Sequence, residues 1–98
     1  MKKIVILIIV FSCYISTIAQ TDSLAYFLKK GNSKYMINDY FGALQDFSEA
    51  IRINPSNYEA YKMRGIVHYS NYNYRSALKD MEKSANLNKG CTECMFYL

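Results

Sequence analysis

The 98 residues carry twelve Lys and Arg against eight Asp and Glu, a formal charge of +4, and 51% of them are hydrophobic, with ten Tyr, four Gly and a single Pro. That composition excludes a disordered linker or a collagen-like chain, and the surplus of cations is too small to point to a nucleic-acid binder. The length allows one small domain at most.

At the N-terminus, Lys2 and Lys3 precede an unbroken apolar run from Ile4 to Phe11, and Thr17-Ile18-Ala19 places small residues ahead of Gln20. This is the order of a secretory signal: the lysines orient an apolar helix in the translocation machinery, and small side chains fit the peptidase pocket. Residues 1–19 are therefore expected to be a signal peptide, and residues 20–98 an exported chain, periplasmic or secreted. The uncharged stretch 4–19 falls short of the roughly 20 residues that span a bilayer. Two alternatives would hold the chain at a membrane: retention of the leader as an anchor, or lipidation at Cys13, where Val10-Phe11-Ser12-Cys13 loosely resembles a lipobox. In each case the rest of the chain is exported to where thiols can oxidise.

After the leader the pattern is helical. Asp22 is the expected N-cap of a helix in which Leu24, Phe27, Leu28, Gly31, Tyr35 and Ile37 recur at helical spacing, and Asn38-Asp39 is the turn that follows. Tyr40, Ala43, Leu44, Phe47, Ala50, Ile51 and Ile53 lay a second apolar stripe, which Asn54-Pro55-Ser56-Asn57 stops. A third helix is expected over 58–70, a turn at Asn71-Tyr72-Asn73, and a fourth helix over 74–87, with Gly90 as its left-handed stop.

Laid on itself at an offset of 34, the chain aligns Gly31 with Gly65, Tyr35 with Tyr69, Tyr40 with Tyr74, Ala43 with Ala77, Leu44 with Leu78, Asp46 with Asp80 and Asn54 with Asn88. The same offset pairs Phe27 with Tyr61, Lys30 with Arg64, Phe47 with Met81 and Ile53 with Leu87. A fixed period of this size marks stacked helical units. These residues resemble the tetratricopeptide repeat, whose pattern is met by Phe27, Gly31, Ala43, Phe47, Ala50 and Pro55 in the first unit and by Tyr61, Gly65, Ala77 and Met81 in the second, where Ser84 and Lys89 take the last two positions. The resemblance implies an all-α helix-turn-helix solenoid of a small exported bacterial type. Its repeats cover 24–57 and 58–91, and a partial third helix over 92–98 makes a short C-terminal cap. Small residues at Gly31 and Ala43 let two helices cross closely, and Phe27, Phe47 and Tyr61 fill the wedge between successive pairs. Lys30 and Arg64 replace the usual Leu, and Lys34 and His68 the usual Tyr, their stems still able to cover apolar neighbours.

In the family the first helix of each pair lines a concave groove, and the matching positions here are Leu28, Asn32 and Tyr35 with Lys62, Ile66 and Tyr69. The resemblance thus implies a protein or peptide ligand held on rigid Tyr rings, although either Tyr could instead pack on the neighbouring helix. Some members clamp a peptide carboxylate with Asn and cationic side chains. Asn32 matches one such position, but Leu28, Met63, Glu93 and Tyr97 occupy the others, so the clamp is not expected.

Other chemistry is thinly represented. Cys91-Thr92-Glu93-Cys94 could be a candidate disulfide, a thiol-redox pair, half of a zinc site or two ordinary cap residues; no strand precedes it to build a redox fold, and the single histidine, His68, offers no set of four ligands. His68 reads as a packed histidine facing the partner helix. With no phosphate-cradling loop and no nucleophile-base pair, the expectation is a non-enzyme without cofactor or metal. Three functions remain open: an adaptor binding through the concave face, a structural subunit joined through exposed helical ends or self-associating at the C-terminal end, and a thiol protein using Cys91 and Cys94. The terminal stub, with Met95, Phe96 and Leu98, is expected either to fold back as a cap or to join another chain, because a solenoid end leaves an apolar face bare.

Overall fold

The computed structural model describes residues 2–88, with side chains at all of these except 2, 3 and 13–20. Four helices follow in order: α1 (Lys2–Met36), α2 (Tyr40–Ile53), α3 (Tyr58–Ser70) and α4 (Tyr74–Leu87). The Cys91–Cys94 pair, the Gly90 stop and the terminal stub lie outside the described residues. Helices α1 and α2 pack as one antiparallel pair, α3 and α4 as the next, and α2 meets α3 between them. The architecture is the tetratricopeptide-like helical solenoid implied by the period of 34.

Local chemistry sets the boundaries. The carboxylate of Asp39 accepts from the Gly42 amide at 3.0 Å, and the Asn57 side chain accepts from the Ala60 amide at 2.9 Å, so α2 and α3 each begin on a side-chain cap. Helix α2 ends at Asn54, which is extended ahead of Pro55 as proline requires of its predecessor. One expectation is corrected: Asp22 does not cap the first helix, because α1 runs unbroken from Lys2 through that position. The residues ahead of Asp22 are themselves helical, so their backbone supplies the hydrogen-bond partners that a cap would otherwise replace.

The core sits where the two pairs meet. Ala43 and Phe47 of α2 and Val67 of α3 are fully buried together, with Leu28, Tyr35, Tyr40, Leu44 and Met63 packed around them. A methyl group on Gly31 would stand 2.8 Å from the Phe47 ring, so the close crossing of α1 over α2 depends on the missing side chain. At Gly65 the corresponding methyl meets the flexible end of Met81 at 3.0 Å and the Ala77 carbonyl at 3.3 Å. The wedge is filled unequally. Phe47 is fully buried, whereas Phe27 and Tyr61 are half-buried, and Ile37, expected on the apolar stripe, stands exposed in the turn after α1.

Candidate partner-binding surface

Helices α1 and α3 are the first helices of the two pairs, and they carry the six residues expected to line a groove. Asn32 and Tyr69 are exposed, and Lys62 and Ile66 are half-buried on α3. Leu28 and Tyr35 are half-buried and pack against the core. The Tyr35 hydroxyl forms a 3.0 Å hydrogen bond with Ser70 Oγ, tying the end of α1 to the end of α3. Tyr35 thereby fixes how the two faces lie beside one another, while Tyr69 presents its ring. Each tyrosine is braced by another five residues on: Tyr35 against Tyr40 at 5.9 Å, Tyr69 against Tyr74 edge-on at 5.3 Å.

The two Tyr pairs occupy equivalent positions and differ in cover. Tyr35 and Tyr40 lie beneath the second helix pair, as does Leu44. Their counterparts Tyr69, Tyr74 and Leu78 are 48%, 55% and 44% exposed. The described residues thus present an apolar, aromatic end face whose copy in the first unit is already in use.

Beneath the surface each pair holds a buried acid. Asp46 lies 2.9 Å from Lys34 Nζ and 3.9 Å from Lys30 Nζ. Asp80 receives two 2.8 Å hydrogen bonds from the Arg64 guanidinium, and His68 Nε2 lies 3.8 Å from the same carboxylate. Both aspartates are about 5% exposed. The bidentate bond to Asp80 raises the Arg64 pKa against the opposing pull of burial. Burial lowers that of His68, aided by Arg64 and opposed by Asp80, and His68 Nδ1 is buried without a hydrogen-bond partner. Arg64 also reaches Ser48 Oγ on α2 at 3.2 Å, so this cluster fastens α3 to both neighbours. His68 faces the partner helix as its repeat position implies.

These acid clusters escaped the sequence reading, although their signal was present. The offset that aligns Asp46 with Asp80 also aligns Lys30 with Arg64 and Lys34 with His68, so in both units a basic residue stands 16 positions and another 12 positions ahead of the acid. The described residues contain no group of three or more His, Cys, Asp and Glu placed to hold a metal ion, and no helix among them is long and apolar enough to cross a membrane.

No protein-family model matches the chain. Among curated proteins it is similar to Hsp70-Hsp90 organizing protein 1 of Glycine max, 40% identical over 53 residues, which are 54% of this chain and 9% of that protein. Hsp70-Hsp90 organizing proteins 2 and 3 of Arabidopsis thaliana match at 33% over 58 residues and 37% over 51, or 59% and 52% of this chain and 10% and 9% of theirs. The chain spans about a tenth of the length of these relatives.

Proposed function

We propose that the chain is a non-catalytic interaction module that takes a peptide or protein on the face formed by α1 and α3. The observation that carries this reading is the arrangement of Asn32, Lys62, Ile66 and Tyr69 on two helices whose ends are held together by the Tyr35–Ser70 hydrogen bond. Similarity to stretches of proteins named as organizers of Hsp70 and Hsp90 supports a protein ligand. It does not bring their ligand with it, since Leu28 and Met63 stand where a carboxylate clamp would need Asn and cationic groups.

The test is a crosslinking pull-down from the native source, repeated with Tyr69→Ala plus Ile66→Ala. Both residues lie outside the buried Ala43, Phe47 and Val67 cluster, so the fold is retained. Loss of the captured protein is the expected result, and capture at an unchanged level would sink the reading.

Export belongs to the same proposal. Lys2 and Lys3 lead an apolar run in which Ile4 to Phe11 are all exposed, a surface suited to the translocation machinery and then to removal. On this reading the chain works in the periplasm or outside a bacterial cell. Intact-mass measurement of the purified native protein should show Gln20 as its first residue; a retained leader would contradict this.

A second reading is favoured by one observation, the exposed end face of Tyr69, Tyr74 and Leu78. There the module would be a structural subunit, joined to a neighbour as its first helix pair is joined to its second. Sedimentation separates the two, because a monomer at all concentrations is incompatible with self-assembly through that face.

A further inference from the structure

Helix α4 turns a differently charged surface away from the core. Arg75, Lys79 and Lys83 follow at four-residue steps with Asn86 beside them, opposite the buried Ala77, Met81 and Ser84. All three cations are exposed, and no ion pair among the described residues engages them. Like charges at this spacing repel, so the stripe works against its own helix. The first unit serves as an internal control. It carries Phe41, Gln45 and Glu49 at the matching positions, and Glu49 is bonded to Arg52. The fold itself therefore does not demand a basic stripe.

Between the stripe and α3 runs an open groove of about 370 Å³. One wall is the Tyr61 ring with the Arg64–Asp80 pair, the other Lys79, Lys83 and Asn86, and Glu82 joins the lining. Asp80 neutralises Arg64, whose guanidinium lies 5.8 Å over the Tyr61 ring, so this wall is fixed in place. The remaining charge comes from Lys79 and Lys83 against Glu82, which leaves the lining cationic by one.

We propose that this groove, separate from the α1–α3 face, binds an extended acidic peptide segment whose carboxylates sit on Arg75, Lys79 and Lys83. The spacing fits that ligand. Four helical residues rise about 6 Å, and alternate side chains of an extended chain recur at about 6.6 Å, so an acid at every second residue meets a cation at every fourth. Tyr61 offers its ring to the intervening side chain and Asn86 an amide to the peptide backbone. A bilayer is the poorer partner, because the stripe holds no large apolar side chain to enter it.

The experiment is fluorescence anisotropy of a labelled hexapeptide of alternating Glu and Ser, titrated with the full chain at low salt. Saturable binding is expected, weakened about tenfold by Lys79→Glu plus Lys83→Glu, as reversal of two exposed charge contacts implies. Lys29→Glu, a charge reversal at an exposed position of α1, should leave the affinity within about twofold. The proposal is overturned if the peptide does not bind, if Lys29→Glu weakens binding as much as Lys79→Glu alone, or if vesicles rich in phosphatidylglycerol are captured through Lys79 and Lys83 while the peptide is not.

Discussion

Tyr72 adopts a left-handed backbone, φ 62°, with its side chain 80% exposed. The matching residue of the first unit is Asn38 at φ 63°, a residue type that tolerates this region because its short polar side chain can hydrogen-bond locally. The same turn is thus built twice, once with a residue suited to it and once with a bulky ring. A left-handed L-residue is penalised by roughly 1–2 kcal/mol, and Tyr72 recovers little of this from its edge-on contact with Tyr74 at 6.4 Å. Tyr72→Asn should therefore stabilise the chain by about 1 kcal/mol and raise Tm by roughly 5 °C, as calorimetry would record. The turn was legible from Asn71-Tyr72-Asn73 as a cluster of turn formers. Its handedness at Tyr72 was not, since nothing in an aromatic residue signals a positive φ; only alignment with Asn38 does.

Within each helix pair, the stripes read from apolar spacing gave α3 and α4 their ends, Tyr58–Ser70 and Tyr74–Leu87. What they could not give was the fate of charged residues at positions where the repeat expects Leu or Tyr. Lys30, Lys34, Arg64 and His68 do more than cover apolar neighbours with their stems; their charged or polar ends converge on Asp46 and Asp80. A side chain's charge is local information, but its partner lies across a helix crossing that only the packed pair defines. The His68 cluster makes stability depend on pH. Its folded pKa lies below the ordinary 6.5 because burial disfavours the imidazolium. The unfolded chain therefore takes up the proton first, and stability is full above pH 6.5 and is lost as pH falls through the folded pKa. Urea unfolding midpoints measured from neutral pH down to about pH 5 should fall for the native sequence. His68→Asn should flatten that slope, and an unchanged slope would place the titration elsewhere.

At the scale of the whole molecule, a solenoid has no central core to fill, and the described residues show what stands in for one. Ala43 and Phe47 belong to the first unit and Val67 to the second, so the buried cluster exists only when both units are folded. The Arg64–Ser48 and Tyr35–Ser70 bonds span the same junction. Neither pair can keep these contacts alone, which makes a single cooperative transition the expected behaviour even though the sequence is modular. Val67→Ala tests this at its centre. Deleting two buried methyl groups should lower stability by roughly 1–3 kcal/mol. The sharper readout is where the loss appears. If the junction couples the units, amide exchange in α2 and α4 should accelerate by the same factor, although Val67 sits on α3. If α4 alone loses protection while α2 keeps it, the pairs unfold separately and the junction is only a contact between two independent hairpins.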